Sequence, residues 1–301
     1  AYSSQYGDGV VGPMVFEGPA TSNYDEDLGP YMVTDWFYQT AFLTQSIASQ
    51  NFQNGLGPPP ADTILINGTN KALSRAGRCN RVAITKGKKY RLRLINTAVD
   101  AGIRVSLDGH TMQVITSDFI PIKPWTTETL LLSIGQRYDV IITANQDAGA
   151  YWFRASNEAS CLSSVNEDAL AIWTYTGSDD SAEPSSTSWT FPPECIEPKN
   201  LAPYWVQPVP SSTFTTAVDS LMVNTTRAVV IPGHDAAVVW ALNHTSINIE
   251  WDQPTLKYVM DNPTSPQFPD SYHVIPTLNA GAWNYWVIQQ LPTSPPIPHK
   301  P

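Results

Sequence analysis

Histidine is the residue type in this sequence that could ligate a metal or transfer a proton near neutral pH. The chain has five histidines, namely His110, His234, His244, His273 and His299. A local metal site typically has two ligands within a few residues of each other, and none of these histidines has such a neighbour. His299 lies in the proline-rich run PTSPPIPHKP (292–301), and each proline fixes its own φ. The run would hold His299 rigidly enough for a ligand, although a solvated histidine also fits.

The sequence lacks the motifs that are typical of several other chemistries. It has no dinucleotide-binding glycine pattern, P-loop, G-x-S-x-G turn or H-E-x-x-H helix. The formal charge of -10 and the pI near 4.8 argue against nucleic acid or an anionic membrane as a partner, because both need a basic face. The longest apolar runs, such as TLLLSI (129–134), are far shorter than a membrane span. We therefore expect neither a nucleic-acid nor a membrane partner.

Cysteines and glycosylation sequons bear on the compartment. Cys161 and Cys195 lie on either side of a Ser- and Pro-rich stretch, and a disulfide between them would suit an oxidising compartment. Three reduced, buried thiols are the alternative. With the disulfide, Cys79 is free or pairs outside this chain. Three N-x-S/T sequons could accept a glycan if the chain is secreted, at Asn67, Asn224 and Asn243.

The elements that must position these residues are mostly strands. Alternation with a period of two occurs in RLRLIN (91–96), IRVSLDG (103–109) and RYDVIITA (137–144), with turn residues at short intervals between such runs. This spacing predicts an all-β sandwich or barrel rather than a parallel α/β sheet. The one plausible helix covers 38–52, as a short connecting helix, with a loop as the alternative.

A change of composition at 177–200 predicts a linker, because this stretch is rich in Ser, Pro and charge and lacks periodicity. The chain would then have a first β unit up to about residue 176 and a second over 201–301. Strands are predicted in the second unit at 227–231, 236–243, 246–251 and 284–291. A closed sandwich typically needs about seven or eight strands, so we expect the second domain to be incomplete.

Several segments resemble multicopper oxidases, both in sequence and in their order along the chain. The resemblance is closest to the three-domain laccases of ascomycete fungi. The most specific are YRLRLIN (90–96) and GQRYDV (135–140). The others are YSSQYGDGVVGPMVFEGP (2–19), DTILINGTNK (62–71), GAYWFRAS (149–156), WALNHTSINIEWDQPTLKYV (240–259) and NYWVIQQLPTSPPIPHKP (284–301). The resemblance covers essentially the whole chain.

The resemblance implies cupredoxin-like Greek-key β-sandwich domains, one complete and one partial. Residues 1–18 would end the family's first domain, 19–176 would form the second, 177–200 would be the linker, and 201–301 would form the N-terminal half of the third. It implies a secreted glycoprotein, monomeric at full length, that contains copper and oxidises phenols or aromatic amines by one electron while reducing dioxygen to water. Lignin degradation is the associated process.

The chain departs from the family pattern in its copper ligands. In that pattern the complete protein holds four copper ions. The resemblance implies that His299 is the first blue-copper ligand of a motif whose remaining members are absent from this sequence. Ala1 occupies the place of the second His in the first domain's His-x-His motif, either as a true substitution or as an effect of the chain edge. We therefore expect a fragment that is inactive and prone to aggregate when isolated.

The resemblance also implies a donor site. Asp118, in VITSDFIPI (114–122), would accept the donor's proton as a general base, although a turn residue at a strand end is the alternative. The donor pocket would be walled by Trp240, Ile297, Pro295, Gly57 and Pro58, with a core aromatic as the alternative for Trp240. His110 is expected to be structural, and Arg137 with Asp139 to form a structural pair at a domain junction.

Two rival functions stay open. Another multicopper oxidase, acting on ascorbate or ferrous iron, would share the scaffold. A copper-free cupredoxin-like binding or structural protein is the rival from a different class, and Ala1 and the missing ligands favour it.

Overall fold

Strands dominate the computed structural model, which describes residues 3–54, 56–71, 73, 76–213, 220–230, 237–242, 245–248, 250–274 and 281–290. The described residues form two compact units. The first contains those up to Ala48 together with Pro58–Val206, and the second contains Ser49–Gly57 and those after Val206. The predicted all-β class is confirmed. No helix in these ranges is long and apolar enough to cross a membrane.

Eleven strands are described in the first unit. They are β1 (Glu26–Trp36), β2 (Thr63–Ile66), β3 (Asn80–Ile84), β4 (Lys89–Asn96), β5 (Ile103–Leu107), β6 (Met112–Ser117), β7 (Ile120–Thr127), β8 (Leu130–Leu132), β9 (Arg137–Thr143), β10 (Ala150–Asn157) and β11 (Ala169–Tyr175). They form a six-stranded sheet in the order β2-β1-β4-β9-β6-β7 and a five-stranded sheet in the order β3-β11-β10-β5-β8. Strand β1 pairs with β4 in parallel, and β3 pairs with β11 in parallel. The three alternating runs of the sequence lie on β4, β5 and β9.

The core lies between these two sheets. Tyr31 of the six-stranded sheet contacts Phe153 and Trp173 of the five-stranded sheet, with ring centroids 5.1 and 6.3 Å apart. The indole Nε1 of Trp173 donates to the Tyr31 hydroxyl at 3.4 Å. All three side chains are buried, so each removes a large apolar surface from water while the phenol and indole keep a polar partner.

The stretch predicted as a linker, 177–200, has no helix or strand but is anchored to the first unit. Trp189 Nε1 donates to the carbonyl of Leu107 at 2.9 Å, and Ser186 Oγ donates to Asp108 Oδ2 at 2.7 Å. A disulfide joins Cys161 to Cys195, whose Cα atoms are 4.9 Å apart. These contacts hold the stretch against the domain, which a free tether would not show.

The second unit contains a four-stranded sheet within the described ranges, in the order β14-β13-β12-β15. Its strands are β12 (Ser220–Val230), β13 (Ala237–Leu242), β14 (Thr245–Ser246) and β15 (Tyr285–Gln290). The strand predicted over 246–251 is wrong for the described residues beyond Ser246. Only Thr245 and Ser246 pair with β13, and Trp251 lies in an exposed turn.

Two α-helices are described, α1 (Ala41–Gln53) and α2 (Thr255–Asp261). The helix predicted over 38–52 corresponds to α1. Its first turn has two acceptors for its otherwise unpaired amides, since Ala41 N donates to Asp8 Oδ1 at 2.7 Å and Leu43 N donates to Thr40 Oγ1 at 3.4 Å. Helix α2 was not predicted from the sequence.

Candidate functional site

Asp118 lies in the two-residue turn that joins β6 to β7. Ser117 pairs with Ile120 across this hairpin, which leaves Asp118 and Phe119 as the turn residues. The backbone φ of Asp118 is 52°, in the left-handed region that Asp tolerates better than most residues because its short polar side chain can bond locally. The structure therefore places Asp118 in a turn, and this is compatible with a chemical role.

Arg137, at the start of β9, holds the carboxylate of Asp118. The backbone amide of Arg137 donates to Asp118 Oδ1 at 3.1 Å, and its guanidinium NH1 lies 3.2 Å from the same oxygen. In the other direction, the Asp118 amide donates to the Arg137 carbonyl at 2.7 Å. The Asp118 side chain is 45% exposed, so the carboxylate is fixed yet open to a small molecule.

Two exposed phenyl rings lie beside this pair. Phe16 and Phe119 meet edge to face, with ring centroids 5.6 Å apart, and they are 62% and 66% exposed. The guanidinium carbon of Arg137 lies 4.6 Å from the centroid of the Phe119 ring, which is a cation–π distance. An aromatic wall therefore adjoins the carboxylate.

A cavity of about 240 Å³ opens at this place. Residues from the turn, the start of β9 and the segment before β1 line it, including Phe16, Glu17, Asp118, Phe119, Pro121 and Arg137. Such a volume suits part of a small aromatic molecule better than a whole drug-sized ligand, whose pockets usually exceed about 300 Å³.

The predicted structural pair of Arg137 and Asp139 differs from the observed contacts, because each residue has other charged partners. Asp139 Oδ2 accepts from Arg91 Nε at 3.0 Å and lies 3.5 Å from Arg93 NH1. The reason is the β4–β9 register, which places Asp139 directly opposite Arg93, so that cross-strand neighbours reach it first. Arg93 also donates to Asp27 Oδ2 at 2.6 Å. Arg91, Arg93 and Asp139 also line the cavity, whereas Asp27 does not.

His110 has two hydrogen bonds and no role at this cavity. Its Nδ1 lies 2.8 Å from the carbonyl of Asp108 and its Nε2 lies 2.8 Å from the hydroxyl of Tyr175. Burial lowers the pKa of His110, while the backbone contact with Asp108 acts in the opposite direction. The expectation that His110 is structural agrees with these contacts.

Of the other predicted donor-pocket residues, Pro58 belongs to the same unit as Asp118, whereas Gly57 and Trp240 belong to the second unit. Pro58 is half-buried and is not among the residues that line the cavity. Gly57 is exposed, and its carbonyl accepts from Asn51 Nδ2 at 3.1 Å. The backbone of Trp240 pairs with Arg227 in the β12–β13 ladder, and its side chain is outside the description. Pro295, Ile297 and His299 lie outside the described residues.

The predicted modification sites are described only in part. Asn67 is exposed in a turn, with φ at 45°. Asn224 lies in β12, where only the backbone is described, and Asn243 lies outside the described residues. Cys79 is a half-buried free thiol whose pKa is raised, chiefly by burial.

The described residues do not by themselves fit a copper site. Within these ranges, no group of three or more His, Cys, Asp or Glu side chains is arranged to hold a metal ion. The one described histidine in the core, His110, already uses both ring nitrogens.

Sequence reasoning missed Arg137, Phe119 and Phe16 as neighbours of Asp118. The sequence did hold part of the information, because Asp118 follows the run that forms β6 and Arg137 begins the run that forms β9. When two such strands are adjacent and antiparallel, the end of one lies beside the start of the other. The register that joins them could not be read from either run alone.

Sequence comparison identifies known proteins that this chain resembles. The sequence model of the family described as Multicopper oxidase matches residues 28–178. Laccase-3 of Botryotinia fuckeliana is 44% identical over 295 residues, which are 97% of this chain and 63% of that protein. Laccase-2 of Podospora anserina is 37% identical over 302 residues, covering 99% of this chain and 47% of that protein. The chain thus spans from about half to under two thirds of the length of these relatives.

Solved structures agree with the sequence comparison. The crystal structure of laccase from Botrytis aclada matches with a TM-score of 0.74 and 33% identity, covering 91% of this chain and 49% of that one. Fet3p, described as a multicopper oxidase that functions in iron import, matches with a TM-score of 0.60 at 17% identity, covering 75% of this chain and 40% of that one, which shows the fold alone. The fold is cupredoxin-like, as predicted, and the chain belongs to the multicopper oxidase family.

Proposed function

We propose that this chain is part of a laccase-type multicopper oxidase, which oxidises phenols or aromatic amines one electron at a time and reduces dioxygen to water. The observation that carries the proposal is the setting of Asp118, a half-exposed carboxylate held beside two exposed phenyl rings at the edge of a cavity. The similarity to laccases over nearly the whole chain supports it.

The proton balance explains why a carboxylate belongs there. A phenol that loses one electron becomes a neutral phenoxyl radical only if it also releases its hydroxyl proton, and a carboxylate within hydrogen-bonding distance can accept that proton. Four such oxidations release four electrons and four protons, which convert one dioxygen into two waters. In this proposal Asp118 accepts the proton, and Phe16 and Phe119 contact the aromatic ring of the donor.

Roles for the remaining site residues are proposed from the resemblance to the family. Membership implies copper binding, and we propose four copper ions in the complete protein, with His299 as a blue-copper ligand. Trp240, Ile297, Pro295, Gly57 and Pro58 are proposed to complete the donor pocket. We further propose the predicted domain boundaries, a secreted and monomeric protein, and glycans on Asn67, Asn224 and Asn243. The disulfide between Cys161 and Cys195 is compatible with secretion, since it needs an oxidising compartment.

The test is a comparison of two electron donors on the complete, copper-loaded gene product. It should oxidise 2,6-dimethoxyphenol and consume one dioxygen for every four phenols. Asp118→Asn keeps a residue that tolerates the left-handed turn but removes the carboxylate, so kcat/KM for the phenol should fall by about a hundredfold, as for loss of a general base. Oxidation of ferrocyanide, which releases no proton, should stay within about twofold of wild type on the same reasoning.

Asp147→Asn is the matched control, because Asp147 is a fully exposed acid whose salt bridge to Lys86 lies at the surface. It should leave both donors unaffected. Equal loss for phenol and ferrocyanide in Asp118→Asn would show a structural role and remove Asp118 from the mechanism. Failure of the wild-type protein to oxidise phenols, with ferrous iron or ascorbate oxidised instead, would overturn the laccase proposal.

A further inference from the structure

We infer that Arg137 is the positioning residue for Asp118, holding carboxylate oxygen Oδ1 so that oxygen Oδ2 is left to accept the donor's proton. The inference rests on the proposed function, and it adds a second residue whose side chain does not take part in the proton transfer. It begins from the fact that the amide and the guanidinium of Arg137 both contact the same oxygen.

The Arg137 side chain is itself held in place. Besides its contact with Asp118, NH1 donates to the carbonyl of Gly135 at 2.7 Å, and the guanidinium lies over the Phe119 ring. A planar guanidinium that is fixed from two sides loses less freedom on binding a carboxylate than a mobile ammonium would. The geometry of the carboxylate is therefore set before a donor arrives, which is the condition for efficient positioning.

Arg137 is also the one cation within ion-pair distance of Asp118 in the part of the chain that the structure describes. The other charged groups at the cavity are engaged with one another, as Arg91 and Arg93 pair with Asp139 and Arg93 lies 3.7 Å from Glu17. No neighbouring cation can replace Arg137 without breaking one of these pairs.

The turn backbone does not depend on the Arg137 side chain. The amide of Asp118 bonds to the carbonyl of residue 137, and the amide of residue 137 bonds to Asp118 Oδ1, and both bonds persist whatever side chain stands at 137. Arg137→Gln should therefore fold normally, with the carboxylate held by one contact in place of two. This separates a positioning role from a structural one.

Steady-state kinetics of the complete, copper-loaded protein test the inference. Arg137→Gln should lower kcat and kcat/KM for 2,6-dimethoxyphenol together by about tenfold, with KM unchanged, because a misplaced base affects the transition state and not the binding of the ground state. Oxidation of ferrocyanide should change by less than about twofold, since no proton leaves. Arg137→Lys keeps a cation near Oδ1 but loses the planar guanidinium that lies over Phe119, so its phenol activity should fall between that of wild type and that of Arg137→Gln.

Arg81→Gln is the matched control, because Arg81 is an exposed arginine on β3 of the other sheet and donates to a backbone carbonyl. It should leave both donors unaffected. The inference is overturned if Arg137→Gln keeps its phenol kcat within about twofold, or if its ferrocyanide activity falls in parallel. A wild-type protein that oxidises ferrocyanide and no phenol would instead overturn the proposed function and this inference with it.

Discussion

The imidazole Nε2 of His110 lies 2.8 Å from the hydroxyl oxygen of Tyr175, deep in the first unit. A backbone carbonyl can only accept, so Nδ1, which faces Asp108 O, carries the proton, and Nε2 accepts from the tyrosine. The same hydroxyl accepts from the amide of Gln146 at 2.9 Å. The neutral imidazole therefore completes a chain of hydrogen bonds that a second ring proton would break.

This arrangement predicts that the protein loses stability as the pH falls below neutrality. The pKa of His110 in the folded state is lowered by burial from its ordinary value of 6.5. Its contribution to stability is therefore complete above pH 6.5 and is lost as the pH falls from there through the folded-state pKa, because the unfolded chain binds the proton first. Urea denaturation between pH 8 and pH 5 should show the decline, and His110→Gln should make the pH dependence shallower. An unchanged slope in the variant would remove His110 as its cause.

The disulfide between Cys161 and Cys195 should stabilise the first unit by restricting the unfolded chain. It closes a loop with a sequence separation of 34 residues. Loop-closure entropy for that length corresponds to about 3–4 kcal/mol. Cys195→Ser should lower the free energy of unfolding by this order, and the wild type should match the variant once a reductant is added. If reductant lowers the melting temperature of Cys195→Ser as much as that of the wild type, the disulfide is not the cause.

The sequon at Asn67 offers a sharp test of the proposed glycosylation. Asn67 Oδ1 accepts from the amide of Met32 at 2.8 Å, which leaves Nδ2, the atom that carries an N-linked glycan, outside that bond. Asn67 and Gly68 have φ values of 45° and 74°, as a tight hairpin turn requires. Asn67→Asp preserves both the turn and the acceptor while it removes the glycan acceptor. Secreted protein carrying this change should lose the mass of one glycan and keep its thermal stability. An unchanged mass would show that the sequon is unused.

The strands of the first unit could be predicted because alternation and turn residues act locally. Polar and apolar residues alternate in the runs that became β4 and β9, although Arg91 and Arg93 of β4 are buried as well as its apolar residues. The run SINIEW (246–251) shows similar alternation, yet among its described residues Ser246 alone pairs with a neighbouring strand. Ile247 and Trp251 are exposed, so these two apolar side chains do not face a buried core as the alternation suggested. Periodicity alone cannot say whether such a face becomes buried.

The candidate site was less predictable than the fold. The resemblance led to Asp118, but the sequence placed Arg137 with Asp139, two residues along the same strand. Which acid an arginine reaches depends on the register between strands, since Asp139 faces Arg93 across the β4–β9 ladder and Asp118 reaches Arg137 at the turn end of β6. Register is set by the packing of whole strands, so no short motif encodes it.

Loss of the Asp139 carboxylate should destabilise the first unit. It neutralises Arg91, whose side chain is only 4% exposed, and lies within 3.5 Å of Arg93. Removing one partner of a buried ion pair leaves an uncompensated charge in a poorly solvated place, which typically costs about 3–5 kcal/mol. Asp139→Ala should therefore lower the free energy of unfolding by that order, measured by urea denaturation at neutral pH.

Asp147→Ala removes an acid that is fully exposed and paired with Lys86, so its unfolding curve should overlay that of the wild type. Asp27 also contacts both arginines, at 2.6 Å from Arg93 and 3.9 Å from Arg91, and can take up part of the charge. If Asp139→Ala unfolds like the wild type, Asp27 alone suffices, and Asp27→Ala should then show the larger loss.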